Sequence, residues 1–372
     1  MTTIGVPAEI KTDEQRVGLT PTSVAELTGA GHAVVVQSGA GHGIGADDDS
    51  YSNAGATIAN DAAEVFEQAQ MIVKVKEPLA PERAMLRPDH VLFTYLHLAA
   101  DQAQTNELIA SGALCIAYET VTSASGALPL LTPMSQVAGR MATQAGAHHL
   151  EAPQGGGGVL IGGVPGVPGA DVVVIGGGVV GENAIDIAIG MGAEVTVLDR
   201  DSVVLDRLEK RFGAALRTMH SNKATLHAEV VKADLVIGAV LVRGARAPKL
   251  VSAEMIKEMQ SGSVVVDVAI DQGGCIETAR PTTHTDPTYV VDDVVHYCVA
   301  NMPGAVPRTS TYALNNQTLP FVMRLANDGA PAALRADEHL RNGLNVMAGQ
   351  VTEPSVAETF GIDYVEPLAA LG

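Results

Sequence analysis

Short apolar runs recur along the first part of the chain, and segments compatible with helices separate them. The runs read TIGVP, HAVVVQSGAG, MIVKVK and HVLFTYLHL. Between the first two runs, Thr20 can cap a helix whose first position is Pro21. Strands that alternate with helices in this way predict a parallel, doubly wound α/β sheet.

A second series of apolar runs follows the glycine-rich segment QGGGGVLIGGVPGVPGAD, and its members read DVVVI, EVTVL, LRTMH, DLVIGAV and SVVVDVAI. The prolines of NMPGAVPRTS argue against continuous regular structure there. The next segment, TYALNNQTLPFVMRLA, is predicted to be mostly helical, with a kink or boundary at Pro320. A chain of 372 residues is long enough for about two domains. The pattern therefore predicts two α/β domains, each built on a doubly wound parallel sheet.

The stretch MIVKVKEP contains two lysines in a predicted strand. Side chains two positions apart share a face, so Ile72, Lys74 and Lys76 would point the same way. Such alternation is typical of a strand that is half exposed to water. However, Lys76 lies at the carboxyl end of the run, just before Glu77 and Pro78, and parallel sheets bind ligands at that edge. We predict that Lys76 contacts a ligand and that Lys74, one pleat back, has a structural role.

The charge balance narrows the possible partners. The chain has 23 Lys+Arg against 42 Asp+Glu and a formal net charge of -19, whereas nucleic-acid binding needs clustered positive charge. The cations divide into 15 Arg and 8 Lys, and a lysine-poor acidic surface fits either adaptation to salt or an ordinary acidic cytosolic protein. We expect no nucleic-acid partner, and the salt hypothesis stays open.

Targeting, membrane and metal patterns are absent from the sequence. The N-terminal MTTIGVPAEIK does not resemble a signal peptide, and the long uncharged runs contain too many prolines, glycines and hydroxyls to span a membrane. The cysteines are odd in number and far apart, which indicates reduced thiols in a cytoplasmic protein: Cys115, Cys275 and Cys298. We expect no metal site, because His148, His149 and the acidic run at 47–49 have no partners at a ligand spacing.

The segment DVVVIGGGVVGENA carries the pattern GxGxxG as Gly176, Gly178 and Gly181, directly after an apolar run. One glycine permits a tight turn, one lets the backbone contact a pyrophosphate, and one lets the helix pack closely. The next strand ends in Asp199, whose carboxylate can accept hydrogen bonds from ribose hydroxyls and would repel a 2′-phosphate. This order of features predicts a dinucleotide site that prefers NAD. Arg200 could meet a 2′-phosphate, so NADP remains a minor alternative.

Three residues of the first half have the chemistry that hydride transfer requires. The protein must hold a substrate carboxylate, polarise a carbonyl or imine, and move a proton. Arg16, Lys76 and His97 suit these tasks in that order. Arg16 lies in the loop after the first predicted strand, and Lys76 and His97 lie at the carboxyl ends of theirs. The alternatives are a solvated loop charge for Arg16 and a satisfied, half-buried histidine for His97.

The motifs resemble, in order and over nearly the whole chain, the NAD-dependent alanine dehydrogenase family, which includes the soluble subunit of nicotinamide nucleotide transhydrogenase. They read GVPAEIKTDEQRVGLTP, VKVKEP, YLHLA, IAYETV, LPLLTPMSQVAGRMA, VPGV, VVVIGGGVVGENA, DLVIGAVLV, APKLVS, VVVDVAIDQGG, RPTTH and CVANMPGAVPRTSTYALNN. The resemblance implies reversible, NAD-dependent oxidative deamination of L-alanine to pyruvate and ammonium. It also implies a homo-oligomer, commonly a hexamer.

By the same resemblance, residues 1–128 and 307–372 form a substrate domain, and residues 129–306 form a Rossmann NAD domain. Arg16 matches the residue that binds the substrate carboxylate, and Lys76 matches the one that contacts the carbonyl oxygen. His97 matches the acid/base, and Asp271 matches the residue that handles water or ammonia, although the sequence alone also allows a turn residue. The positions that match cofactor contacts are Ser135, Gly176, Gly178, Val179, Val180, Gly181, Asp199, Ser221, Val240, Leu241, Val268, Ala269, Ile270, Asp271, Arg280, Val299, Ala300, Asn301 and Met302.

Two other functions remain open from the sequence. A transhydrogenase subunit would share the fold and the glycine motif, but the resemblance implies that its equivalent of YLHLA lacks the histidine. A nonenzymatic NAD-responsive module would not need Arg16, Lys76 and His97 together. Catalysis through a Schiff base on Lys76 is disfavoured, because the nicotinamide performs the redox step. Physical argument does not separate alanine from serine or glycine as the substrate.

Overall fold

The computed structural model describes residues 1–240 and 247–372, so Leu241, a predicted cofactor contact, lies outside the described residues. The chain divides into two compact units. The first combines Met1–Met134 with Val306–Gly372, and the second is Ser135–Ala305.

The strands are β1 (Thr3–Val6), β2 (Ala33–Gln37), β3 (Thr57–Ala59), β4 (Met71–Val73), β5 (Val91–Thr94), β6 (Leu114–Ala117), β7 (Asp171–Ile175), β8 (Glu194–Asp199), β9 (Leu216–His220), β10 (Leu235–Gly238), β11 (Val264–Asp267), β12 (Thr288–Val291), β13 (Val294–Tyr297), β14 (Leu344–Met347) and β15 (Gln350–Val351).

The helices are α1 (Pro21–Gly29), α2 (Asp48–Asn53), α3 (Ala62–Gln68), α4 (Ala80–Arg83), α5 (Gln102–Ser111), α6 (Thr132–His149), α7 (Val179–Gly190), α8 (Ser202–Phe212), α9 (Lys223–Lys232), α10 (Ala253–Glu258), α11 (Pro307–Asp328), α12 (Ala330–Ala336), α13 (Glu338–Arg341), α14 (Pro354–Phe360) and α15 (Pro367–Leu371).

The sheet of the first unit has the order β15-β14-β6-β5-β4-β1-β2-β3. Strands β1 to β6 pair in parallel, and β1 lies between β2 and β4. The chain order therefore reverses between β1 and β4, which makes this the switch point where α/β sheets bind ligands. Strands β14 and β15 extend one edge, where β14 pairs antiparallel with β6. The pair β14–β15 is also antiparallel, because the two-residue connection between them is too short for a parallel crossover.

The sheet of the second unit has the order β12-β13-β11-β10-β7-β8-β9. Its strands pair in parallel except for the β12–β13 hairpin at the edge. The order reverses between β7 and β10, so the loop after β7, which carries the glycine motif, lies at the switch point. Both units thus have the predicted α/β fold, with antiparallel edge strands added to doubly wound sheets.

The predicted start of the first helix is confirmed. Thr20 is the N-cap of α1, its Oγ1 accepts a hydrogen bond from Ser23 N (3.3 Å), and Pro21 is the first helical residue. At the other end of the chain, α11 begins at Pro307, inside the stretch predicted to be irregular, and continues past Pro320. Proline suits the first helical position because its missing N–H has no partner there. A helix boundary at Pro320 was a wrong prediction.

The predicted strand MIVKVK is shorter than its pattern indicated. Strand β4 ends at Val73, and the N–H of Val75 donates to Glu9 Oε1 (2.6 Å) instead of to a neighbouring strand. Alternation was misleading because both faces of β4 are covered: Ile72 and Val73 are as fully buried as Lys74. Lys74 therefore does not lie on a solvent-exposed face.

Each unit has its own apolar core around its sheet. Phe66, Leu92 and Leu108 belong to the core of the first unit. Val236 and Val265 belong to that of the second. Over residues 1–240 and 247–372, no helix is both long enough and apolar enough to cross a bilayer.

Candidate functional site

The structure brings the three predicted substrate residues to neighbouring strand ends in the first unit. Arg16 follows β1, Lys76 follows β4 and His97 follows β5, and these three strands are adjacent in the sheet. All three residues lie on the carboxyl side of their strands, next to the switch point between β1 and β4. This is the edge at which parallel α/β sheets bind small molecules.

Arg16 is buried, so the alternative of a solvated loop charge is wrong. Its Nε donates to Glu14 Oε1 (2.6 Å), its Nη2 bonds to Glu14 Oε2, and its Nη1 lies 3.0 Å from Met134 Sδ. Burial alone disfavours the charged form, but the Glu14 carboxylate holds the pKa of Arg16 above its ordinary value. The guanidinium is therefore a permanent cation whose plane is fixed by Glu14.

Lys74 forms a buried charge cluster with two carboxylates. Its side chain is 0% exposed, and Nζ lies 3.0 Å from Glu9 Oε2 and 2.5 Å from Glu82 Oε1. Burial by itself would lower the pKa of Lys74, but the two carboxylates raise it above its ordinary value. Burial also raises the pKa of Glu9, against the opposing effect of Lys74. The cation thus neutralises part of the charge of two buried acids.

The same cluster holds the segment that carries Lys76. Glu9 Oε1 accepts the N–H of Val75 and lies 3.4 Å from the N–H of Lys76, while Thr94 Oγ1 donates to the carbonyl oxygen of Lys76 (2.9 Å). The ammonium of Lys76 lies 3.9 Å from Glu77 Oε2, and both side chains are mostly buried. Buried contacts therefore fix the backbone of Lys76 beyond the end of the strand.

His97 has an unusual backbone and an accessible ring. Its φ of 49° and ψ of 40° lie in the left-handed region, and its side chain is 47% exposed. The ring stacks on Tyr95 with 5.7 Å between centroids, and Tyr95 is itself anchored by a hydrogen bond from its hydroxyl to the carbonyl oxygen of Leu130 (2.5 Å). Nδ1 lies 3.7 Å from Glu119 Oε1. The ring is therefore about half exposed, which agrees with the half-buried position of the alternative interpretation and leaves the imidazole accessible.

The glycine motif of the second unit has the geometry that a dinucleotide loop needs. Gly176 follows β7 with a φ of 96°, which L side chains rarely adopt. A methyl group on Gly181 would overlap the carbonyl oxygen of Gly176, whereas one on Gly178 would meet no atom of the described residues within 4 Å. Helix α7 begins at Val179, so its amino end faces this open space. The loop fits a pyrophosphate approaching Gly178 and the helix terminus.

Asp199 ends β8 beside this loop. Its Oδ2 accepts the N–H of Gly177 (2.7 Å), and its Oδ1 accepts the N–H of Asp201 (2.9 Å). Arg207, on α8, contacts the same loop. Its Nη2 donates to the carbonyl oxygen of Gly177 (2.9 Å), and its Nη1 pairs with Glu182. The carboxylate and the loop are thus held in place together, as recognition of a ribose next to a pyrophosphate requires.

Most of the other predicted cofactor positions that the structure describes follow strands of the same sheet. Ser221 follows β9, Val240 follows β10, residues 268–271 follow β11, and residues 299–302 follow β13. The carboxylate of Asp271 is 3.4 Å from the N–H of Asn301, which links the last two segments. The Arg280 guanidinium lies 4.0 Å from the ring centroid of Tyr289, and Ser135 lies on α6. Apart from Arg280 and Ser135, these positions share the carboxyl edge of the sheet.

Several residues that hold the site were missed by sequence reasoning. Glu9 and Glu14 were inside a quoted motif, as was Glu119 in IAYETV, but no role was predicted for them. Arg207 lies in a segment without a motif. The position of Glu14, two residues before Arg16, could have suggested that it pairs with the guanidinium. No local signal connects Glu119 with His97, because they are far apart in the sequence.

The comparisons with known proteins agree over the whole chain. The family model described as Alanine dehydrogenase/PNT, N-terminal domain matches residues 5–138, and the model described as Alanine dehydrogenase/PNT, C-terminal domain matches residues 142–354. An alanine dehydrogenase of Halomonas elongata is 57% identical over 369 residues, which is 99% of this chain and 100% of that protein.

Two solved structures share the fold over nearly the full length. An L-alanine dehydrogenase superposes with a TM-score of 0.94 at 52% identity and covers 96% of this chain and 99% of its own. A transhydrogenase from Sinorhizobium meliloti superposes with a TM-score of 0.82 at 25% identity, covering 95% of this chain and 99% of its own. Together with the family models, these similarities mean that the chain belongs to the alanine dehydrogenase/PNT family.

Proposed function

We propose that the protein is an L-alanine dehydrogenase that catalyses the reversible, NAD-dependent oxidative deamination of L-alanine to pyruvate and ammonium. The observation that carries the proposal is the grouping of Arg16, Lys76 and His97 on adjacent strand ends. These residues supply an anchor for a carboxylate, a donor for a carbonyl oxygen and an acid/base. The activity named for relatives at 52% identity and above supports the same conclusion.

The first unit would bind the substrate, and the second would bind NAD. The loop from Gly176 to Gly181 would hold the pyrophosphate, and Asp199 would hold the ribose and repel a 2′-phosphate. The bound nicotinamide supplies the hydride acceptor. Arg200, next to Asp199, is exposed and could contact a 2′-phosphate. Residual use of NADP is measured by replacing NAD with NADP in the activity assay.

The residues of the first unit account for the polar steps. Arg16, held by Glu14, binds the substrate carboxylate, and this orients the α-carbon so that its hydrogen leaves as hydride. His97 accepts the proton that the amino group loses as the imine forms. Water then adds to the imine carbon, and Lys76 stabilises charge on the new oxygen. By the family resemblance, Asp271 is expected to orient this water, whose two protons pass to the nitrogen as the carbonyl forms and ammonium leaves.

The proposal includes an assembly and a location that rest on the family resemblance alone. We expect a cytoplasmic homohexamer whose partners are the small molecules L-alanine, pyruvate and ammonium. We expect it to bind neither membranes nor nucleic acid, in keeping with its net charge of -19. Light scattering coupled to size-exclusion chromatography measures the number of chains, and a monomer would contradict the hexamer without affecting the proposed reaction.

One absorbance experiment tests the reaction. The protein is mixed with NAD and L-alanine, L-serine or glycine, and formation of NADH is followed; the reverse reaction uses pyruvate, ammonium and NADH. We expect the highest kcat/KM with alanine. His97→Ala should lower turnover on the order of 10²-fold or more while NADH binding stays near wild type. If none of the three amino acids produced NADH, a binding function or a transhydrogenase subunit would replace the proposal.

A further inference from the structure

His97 has a backbone conformation that residues other than glycine rarely adopt. Its φ of 49° lies in the left-handed region, where a residue with a Cβ is strained. Such strain persists only when surrounding contacts impose the conformation, and it is concentrated at functional sites. The contacts that impose it are therefore part of the device that places the imidazole.

Glu119 supplies the contacts to the N–H groups of this segment. It lies in the turn Tyr118–Thr120, directly after β6. Strand β6 pairs with β5, and His97 follows the end of β5. Its Oε1 accepts the N–H of His97 (2.5 Å), and both carboxylate oxygens lie within hydrogen-bonding distance of the N–H of Leu96 (3.2 and 3.3 Å). The side chain is mostly buried, so water competes little for these bonds. One carboxylate thus binds two successive N–H groups at the strained residue.

The same carboxylate faces the ring. Nδ1 of His97 lies 3.7 Å from Glu119 Oε1, which is too long for a hydrogen bond but short enough to tighten when a substrate binds. A carboxylate only accepts hydrogen bonds, so the neutral ring is expected to carry its proton on Nδ1 and to leave Nε2 as the base. Tyr95 limits the ring from the other direction, because the two rings are stacked with an angle of 2° between their planes.

We propose that Glu119 is the positioning residue of the reaction: it holds His97 in the left-handed conformation and directs Nδ1 toward itself, so that Nε2 is presented to the substrate. This inference rests on the proposed function, because it assigns the proton transfer to His97. Glu119 does not touch the substrate in this scheme, and its effect on the rate passes entirely through His97. Removing it should therefore slow proton transfer without weakening the binding of alanine or NADH.

A double-mutant cycle in the alanine-dependent NADH assay tests this inference. Glu119→Ala should lower kcat on the order of 10- to 100-fold, as misorientation of an acid/base group does, with the KM for alanine and the Kd for NADH near wild type. In the His97→Ala background, Glu119→Ala should lower kcat less than about twofold further, because the group it positions is already gone. A merely structural role would give the same fold loss in both backgrounds.

Three further variants make the outcome decisive. Glu119→Gln keeps an acceptor oxygen at the same reach and should retain at least several-fold more activity than Glu119→Ala. Glu119→Asp is one methylene too short, and it replaces Glu119→Ala in the cycle if the alanine variant does not fold. Glu107→Gln is the control, because that carboxylate pairs with Arg83 at the surface and does not face His97.

The results separate this inference from the proposed function. Kinetic losses that are non-additive with His97→Ala and relieved by glutamine would support it. Losses that add to those of His97→Ala, or activity of Glu119→Ala within about twofold of the Glu107→Gln control, would overturn it while the proposed function stands. A wild-type protein without dehydrogenase activity would refute the proposed function, and this inference with it.

Discussion

Replacing Lys74 by methionine tests whether the buried charge cluster stabilises the first unit. Methionine matches the lysine stem in length but has no charge. The substitution leaves Glu9 and Glu82, whose side chains are each 2% exposed, without the cation that both contact. Two carboxylates would then be buried close together with only backbone N–H groups to stabilise them.

The expected cost follows from that geometry. Removing one partner of a buried ion pair destabilises proteins by about 3–5 kcal/mol, because the remaining charge is neither solvated nor paired. The cost should depend on pH, since burial already raises the pKa of Glu9. Lys74 opposes that rise in the wild type, so without Lys74 the folded variant binds more protons than the folded wild type in the range above 4.5, and the penalty grows as pH rises. It should be smaller near about pH 5 than near about pH 8.

Urea unfolding followed by circular dichroism measures the effect. With a denaturant slope of about 2–3 kcal/mol per molar, the loss corresponds to a midpoint shift on the order of 1–2 M in the transition of the first unit. Lys210→Met is the control, because Lys210 and Asp206 form a surface pair with side chains 75% and 60% exposed. Such a pair contributes less than about 1 kcal/mol.

Neutralising all three members distinguishes unpaired charge from lost packing. The variant Lys74→Met/Glu9→Gln/Glu82→Gln keeps acceptors for the N–H groups of Val75 and Leu79 but has no buried charge. It should recover most of the stability that Lys74→Met loses, since neutral replacements for buried ion pairs are commonly tolerated. If Lys74→Met cost no more than Lys210→Met, or if the triple variant recovered nothing, this account of the cluster would be refuted.

Three other predictions concern the cofactor loop, acid stability and salt. Gly181→Ala should weaken NADH binding on the order of tenfold or more, because the new methyl group overlaps the carbonyl oxygen of Gly176. Fluorescence titration measures the change in affinity. The control Gly190→Ala, on the same helix, should bind NADH normally, because its methyl group would meet no atom of the described residues within 4 Å. Burial lowers the pKa of His90, whose Nδ1 accepts the N–H of Arg87, so stability should fall as pH drops below the ordinary value of 6.5. The melting temperature of His90→Asn should depend less on pH over that range, and equal slopes would contradict the assignment. If the acidic surface is an adaptation to salt, activity and melting temperature should peak at high KCl concentration, and a peak at low salt would exclude it.

The local sequence determined the order of elements and the dinucleotide loop. Apolar runs and helix signals predicted β1, β2, β4, β5 and β7 to β11, because each signal depends on residues a few positions apart. The short strands β3 and β6 were not among the predicted runs. The same holds for Gly176, Gly181 and Asp199, where a turn, a close approach and a strand end follow from residue type and spacing.

The tertiary structure alone decided which polar residues are buried and what holds them. The sequence predicts a structural role for Lys74 without naming its partners, and only the structure shows that it is enclosed by Glu9 and Glu82, which come from other segments. His97 and Glu119 are 22 residues apart and meet because β5 and β6 pair side by side. Periodicity reports one face of one segment at a time, whereas burial and ion pairing depend on what the rest of the chain places against that face.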